Sequence, residues 1–315
     1  MSVLITKHIV EIVAAVMAGI VIHYALKFIK TKVVHKKIEF GINVLRVLGI
    51  ASVVFSLLIC IVTDHVLYHI SFNLDAYVQL QQSDSFEELK LNTPIGKCSG
   101  WMYHSMHDAE VTVILFPGNM YASEEMMGSS VMFDEGNGKS GVNFIALDYP
   151  GYGRCDGIPS ESTIKLMALS AFDELMTRND MKDQKIVLMG YSLGTGVANY
   201  VASKRDVDGM ILIAPYKNGH ELFNKFINIF NGPLKLFNPY KMRADLFAEN
   251  IKVKPLVIAT KDDTMISYES SSELAQIYPQ GSDMKLYDGL GHGGFWSDNQ
   301  VWQDILSYLS EITNK

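Results

Sequence analysis

The sequence predicts an α/β fold: a mostly parallel central sheet with helices on both faces and a short lid, preceded by an N-terminal helical hairpin in a membrane. Three observations carry that expectation. Past residue 91, short apolar runs alternate with segments of helical period. One run ends in Gly190–Tyr191–Ser192–Leu193–Gly194 and passes into a helical segment. Two long apolar stretches precede residue 63.

The apolar stretches come first. The 315-residue chain is 48% hydrophobic and only 19% charged, against about a quarter charged in ordinary soluble chains. Much of the excess lies in residues 8–26, with Glu11 as the only formal charge, and 42–62, with Arg46 as the only one. A membrane helix needs about 20 apolar residues, so each stretch is long enough to span. Arg46 is within a turn of the start of its stretch, where its head can reach the interface. A cleaved signal peptide has a shorter apolar core and no second stretch behind it. Lys27, Lys30, Lys32, Lys36 and Lys37 make the connector basic, whereas Asp64, Asp75, Asp84, Glu87 and Glu88 follow the second stretch. Basic short loops stay cytoplasmic. The expected organisation is an anchor over 1–62, a linker over 63–90 and a catalytic domain over 91–315 on the non-cytoplasmic side.

Net charge is −7, from 27 Lys+Arg and 34 Asp+Glu, which argues against a nucleic-acid partner. Three cysteines are too few for a disulfide scaffold. Cys60 lies in an apolar stretch, leaving Cys98 and Cys155 as the only pair that could join. His65 and His69 share a spacing of four but have no third ligand in view, so no metal is expected. Gly136–Ser140 lacks the first glycine of a phosphate-binding loop, because Phe133 stands there. No cofactor is implied.

From 91 onward the expected strands are Val111–Phe116, Val142–Leu147, Lys185–Gly190, Met210–Ala214, Val253–Thr260 and Met284–Tyr287. Amphipathic stretches lie between them, including Thr163–Met176 and Val197–Ser203. The last, Val301–Ile312, puts Val301, Trp302, Ile305, Leu306, Leu309 and Ile312 on one face. Strand–helix alternation of this kind builds a parallel sheet covered on both sides.

The strand Ile186–Met189 running into Gly-x-Ser-x-Gly and then a helix has the form of a nucleophile elbow. Ser192 sits on a tight turn that projects its hydroxyl. A side chain at Gly190 or Gly194 would collide across that turn. A serine hydroxyl needs a base, and the base needs an acid to orient it. The order for this arrangement is serine, acid, histidine. Asp262 and Asp263 end the strand Pro255–Thr260, where a carboxylate faces the ligand crevice. His292 follows in the glycine-rich loop Gly289–Leu290–Gly291–His292–Gly293–Gly294.

Residues 91–313 resemble the α/β-hydrolase superfamily, and within it the membrane-anchored serine hydrolases that include protein depalmitoylases. The matching segments are Leu115–Asn119, Asp148–Arg154, Gly190–Gly194, Asp263–Ile266 and Gly289–His292. The resemblance implies Asp263 as the acid, three residues before Ile266, with Asp262 as its surface neighbour and the alternative acid. It implies an oxyanion hole built from the backbone N–H of Leu193 and one near Asn119, with Met120 as the alternative. Thr260 and Pro117 stand where the family has glycine and histidine. The Asp148–Gly153 segment is expected to shape the crevice wall.

Pro215–Lys254 would hold the short lid, rich in Phe223, Phe226, Phe230 and Phe237. Met120, Met126, Met127, Phe295 and Trp296 flank the site loops, either as an acyl-binding wall or as plain core. The leading expectation is a membrane-tethered serine hydrolase acting on an acyl ester, thioester or lipid. The alternatives are a non-catalytic binding or scaffold module and a peptidase on the same fold.

Overall fold

The computed structural model describes residues 72–105, 108–128, 141–226, 238 and 240–314, with 13, 17, 19–29, 40–51, 54, 55 and 58 from the N-terminal part. One sheet organises the main body. Its strands are β1 (Phe86–Thr93), β2 (Gly96–Tyr103), β3 (Val111–Phe116), β4 (Val142–Leu147), β5 (Lys185–Tyr191), β6 (Gly209–Ile213), β7 (Leu256–Thr260) and β8 (Asp283–Tyr287). They lie in the order β1-β2-β4-β3-β5-β6-β7-β8. β2 pairs antiparallel with β1 and β4, and every pairing from β4 to β8 is parallel. β3, β4 and β6 are buried at every residue, as strands covered on both faces must be.

Alternate residues divide the core in two. Ile114, Phe116, Ile186 and Leu188 face one layer, while Val113, Leu115, Val187 and Met189 face the other. The first layer is closed by α2 (Glu161–Leu175), through Ile164, Met167, Ala171 and Leu175, and by α3 (Leu193–Ala202), through Val197 and Val201. The second is closed by α1 (Leu74–Gln81), through Tyr77 and Leu80, and by α7 (Asn299–Thr313), whose Val301, Ile305, Leu309 and Ile312 are buried. Three further helices lie between α3 and α7: α4 (Gly219–Phe226), α5 (Ala244–Ala248) and α6 (Tyr268–Ala275). Each fully buried aliphatic side chain contributes about 1.5–3 kcal/mol.

α1 and the start of β1 fall inside 63–90, the segment expected to be a linker. β1 buries only Leu89 and Leu91, with exposed Lys90 between them and exposed Asn92 after them. This half-buried alternation is the mark of an edge strand, and four residues of it are too short a signal to stand out among charges.

Among the described residues, no helix is long and apolar enough to cross a membrane. The expected hairpin over 8–26 and 42–62 is therefore not carried by the described residues, and much of both stretches lies outside them. What is described is helical over 19–29 and 40–51. Val21, Tyr24, Phe28, Phe40, Leu45, Val47 and Leu48 are each more than half exposed there. A Cβ at Gly49 would lie 3.6 Å from Ile22 Cγ2, so the two stretches touch. Part of the expected lid (227–237 and 239), the turn 136–140, His65 and His69 also lie outside the described residues.

Candidate active site

Three loops at the C-terminal ends of β5, β7 and β8 bring Ser192, Asp263 and His292 together. Ser192 stands between β5 and α3 with φ 50° and ψ −115°, a conformation that L-residues rarely adopt. Strain of this kind costs about 1–3 kcal/mol and persists only where the surroundings over-determine it. Here the surroundings are hydrogen bonds and close backbone approach. Ser192 N–H donates to the Ile213 carbonyl at 2.9 Å, and the Ser192 carbonyl accepts from Thr195 N–H at 3.0 Å and Thr195 Oγ1 at 2.7 Å. A Cβ at Gly194 would fall 1.9 Å from the Phe116 carbonyl oxygen, and one at Gly190 would fall 2.6 Å from the Gly194 carbonyl oxygen. The turn closes only with glycine at both places.

Ser192 Oγ lies 3.0 Å from His292 Nε2, and His292 Nδ1 lies 2.8 Å from Asp263 Oδ2. The other Asp263 oxygen, Oδ1, accepts the N–H groups of Met265 at 2.7 Å and Ile266 at 2.9 Å. The spacing from Asp263 to Ile266 thus has a physical basis: Ile266 is buried in the core and aims its N–H at the carboxylate. The Asp263 side chain is 2% exposed and that of His292 is 21% exposed, so the acid is sheltered while the imidazole reaches the crevice.

Asp262 is not the acid partner of His292. Its carboxylate is exposed and turned toward the histidine loop, where Oδ1 accepts Gly289 N–H and Oδ2 accepts Gly291 N–H, both at 2.9 Å. The Thr260 hydroxyl, which also donates to Asp262, is the main cause that holds its carboxyl below the usual carboxylate range.

The expected oxyanion residues lie beside the serine. Leu193 is the first residue of α3, so its N–H is among those a helix leaves without an intrahelical acceptor. The loop after β3 runs along Ser192: a Cβ at Gly118 would sit 3.5 Å from Ser192 Cβ and 2.7 Å from the Tyr191 ring. The crevice-wall segment supports this loop. Tyr149 donates its hydroxyl to the Pro117 carbonyl at 2.7 Å, and Tyr152 donates to Asn119 Oδ1 at 2.9 Å. Met120, next in the loop, has φ 74° and is 57% exposed. Asp148 anchors the segment from below, accepting from Ser99 Oγ at 2.6 Å and Ser123 N–H at 2.8 Å. Burial pushes its carboxyl up.

Of the residues expected to flank an acyl chain, Met126, Met127 and Phe295 are core residues of the second layer. Their apolar character serves packing, which sequence alone does not separate from ligand contact. A cleft of about 460 Å³ lies instead beside the acid loop, lined by Tyr216, Leu222, Met265 and Ile266 with Lys217 and Glu221.

Tyr191 is a site residue the motif conceals, since it occupies the variable position of Gly-x-Ser-x-Gly. Its hydroxyl donates to the His292 carbonyl at 2.7 Å, and its ring stacks on the imidazole at 5.4 Å. Cys98 and Cys155 are free thiols in side-chain contact. Among the described residues, no group of three or more His, Cys, Asp or Glu is placed to hold a metal ion.

Comparison with known proteins bears on this geometry. A family model described as the alpha/beta hydrolase fold matches residues 111–246. The Xenopus tropicalis alpha/beta hydrolase domain-containing protein 17C is 29% identical over 254 residues, covering 78% of this chain and 75% of that protein. The lysophosphatidylserine lipase ABHD12 of the same organism is 31% identical over 163 residues, covering 47% of this chain and 42% of that one. Among solved structures, the Pyrococcus furiosus esterase Pf2001 shares the fold with a TM-score of 0.59 at 17% identity, over 78% of this chain and 95% of its own.

Proposed function

Given that the chain belongs to the α/β-hydrolase superfamily, we propose that it is a serine hydrolase that cleaves ester or thioester bonds of an acyl or lipid-like substrate. The observation that carries this reading is the line of contacts from Ser192 Oγ through His292 to Asp263, at 3.0 and 2.8 Å. Both lie within the reach a nucleophile and its base require.

His292 Nε2 takes the Ser192 proton as Oγ attacks the substrate carbonyl carbon. The charge that develops on the carbonyl oxygen faces the Leu193 N–H and the backbone near Asn119. One such donor contributes about 3 kcal/mol to the transition state. As the tetrahedral intermediate collapses, Nε2 returns the proton to the leaving alcohol or thiol, and the acyl group stays on Oγ. Water then attacks the acyl-enzyme by the same steps in reverse, with Nε2 taking its proton. Asp263 holds Nδ1–H throughout, which fixes the tautomer that leaves Nε2 free to accept.

A lipid-like substrate is supported by the relatives, one of which is named as a lysophosphatidylserine lipase, and by the apolar surface of the N-terminal helices. We place those helices in a membrane, as an anchor over 1–62 joined through 63–73 to a catalytic domain that begins with α1. The basic connector at Lys27–Lys37 puts the catalytic domain on the non-cytoplasmic side. A reporter fused after Lys315 should then be protected from cytoplasmic reagents. Labelling from the cytoplasm would overturn the orientation.

The test of the activity is hydrolysis of a series of acyl esters and acyl thioesters by the full chain in detergent micelles, against Ser192→Ala. Turnover by the wild type and loss in the variant are expected. Equal turnover by the two would remove Ser192 from the chemistry.

A further inference from the structure

Asp262 and Asp263 are neighbours in sequence, yet they hold different parts of one histidine. Asp263 holds the imidazole. Asp262 holds the backbone that presents it. From these contacts we infer that Asp262 is a positioning residue for His292, acting as a two-oxygen clamp on the Gly289–Gly291 turn. The inference rests on the serine-hydrolase reading above.

The clamp is built from three donors. Gly289 N–H and Gly291 N–H reach separate oxygens of the carboxylate, and the Thr260 hydroxyl turns the carboxylate toward them. Both glycines have positive φ, 81° and 56°. Left-handed residues in a turn point their amide N–H groups into a concavity that takes an anion, and here a side-chain carboxylate fills it. His292 is the next residue after Gly291, so the clamp ends one peptide bond from the base.

A Cβ at Gly289, Gly291 or Gly293 would meet nothing within 4 Å, so steric packing does not set the path of these glycines. Leu290, between the clamped pair, packs against the second core layer. The remaining fixed points are hydrogen bonds: Asp262 upstream, Tyr191 on the His292 carbonyl, and Gly294 N–H on the Leu290 carbonyl. Without the clamp the turn can open at its upstream end, and Nε2 drifts from Ser192 Oγ. A displacement of about 1 Å in such a constellation costs about 100-fold in rate.

The test compares the full-length wild type with Asp262→Ala, Asp262→Asn and Ser192→Ala. It reads kcat and KM on an acyl ester, thermal melting, and hydrogen exchange at the Gly289 and Gly291 amides. The clamp predicts a kcat about 10- to 100-fold lower in Asp262→Ala, with KM and melting temperature close to wild type and faster exchange at both glycines. Asp262→Asn keeps one acceptor oxygen and should fall between. A kcat within twofold of wild type in Asp262→Ala, with Ser192→Ala inactive, would overturn the clamp and leave the triad standing. Activity undiminished in Ser192→Ala would overturn the triad itself. A fall in kcat matched by an equal loss of folded protein, with normal kcat per folded molecule, would also refute the positioning role.

Discussion

The two sides of the candidate site are held by different forces. On the serine side the backbone is packed so closely that Gly194 has its missing Cβ position only 1.9 Å from a carbonyl oxygen. On the histidine side, Gly289, Gly291 and Gly293 have open space where a Cβ would go. Steric contact fixes Ser192, while hydrogen bonds to Asp262, Asp263 and Tyr191 and the packing of Leu290 on the core fix His292. The division suits the proposed chemistry. A nucleophile in a strained turn must not relax, whereas a base that serves first the serine and then the leaving group needs a small freedom of movement.

Substitutions at matched positions on the two sides should break or sharpen this contrast. The largest effect is expected for Gly194→Ala, which has no space to occupy, so the yield of folded protein should collapse. A circular-dichroism melt like that of the wild type would show that the serine turn is not held by contact. Asp263→Asn should fold normally, because the amide oxygen can still accept from Met265 and Ile266 N–H. Its amide nitrogen would present a donor to Nδ1 and favour the wrong tautomer. Steady-state kinetics should show kcat lower by about 10⁴.

Tyr191→Phe keeps the stacked ring and removes the hydroxyl that donates to the His292 carbonyl. Denaturant unfolding should show a loss of about 1 kcal/mol. Gly291→Ala meets no atoms but must hold φ 56°, so a penalty of about 1–2 kcal/mol in the same measurement is expected. Gly293→Ala, with φ −107° and open space, should change stability by less than about 0.5 kcal/mol. If the two histidine-loop variants were as damaging as Gly194→Ala, the contrast between the two sides would fail.

The same contrast explains what could be read in the sequence. The buried parallel strands from Val111 to Thr260 are legible as apolar runs, and the serine turn as glycines at fixed spacing. Both are local consequences of packing. Asp263 and His292 were placed by order along the chain and by the resemblance. The role of Asp262 was not legible, because a carboxylate that grips a backbone 27 residues away leaves no pattern beside itself. Tyr191 was hidden for a similar reason: its hydroxyl meets a carbonyl 101 residues on. Met126, Met127 and Phe295 looked equally suited to a ligand wall and to the core. Hydrophobicity records that a side chain avoids water, not which apolar neighbour it meets. α1 and the start of β1 fall in the expected linker, since each element buries only two residues, too few to show a period.

The central claim is that Ser192 is an activated nucleophile. The most direct test treats the full-length protein with a fluorophosphonate, digests it and locates the adduct by tandem mass spectrometry. The account predicts a single phosphonylated residue, Ser192, with labelling lost in Ser192→Ala and strongly slowed in Asp263→Asn. An adduct at another residue, or an unlabelled protein that nevertheless hydrolyses acyl esters, would contradict it.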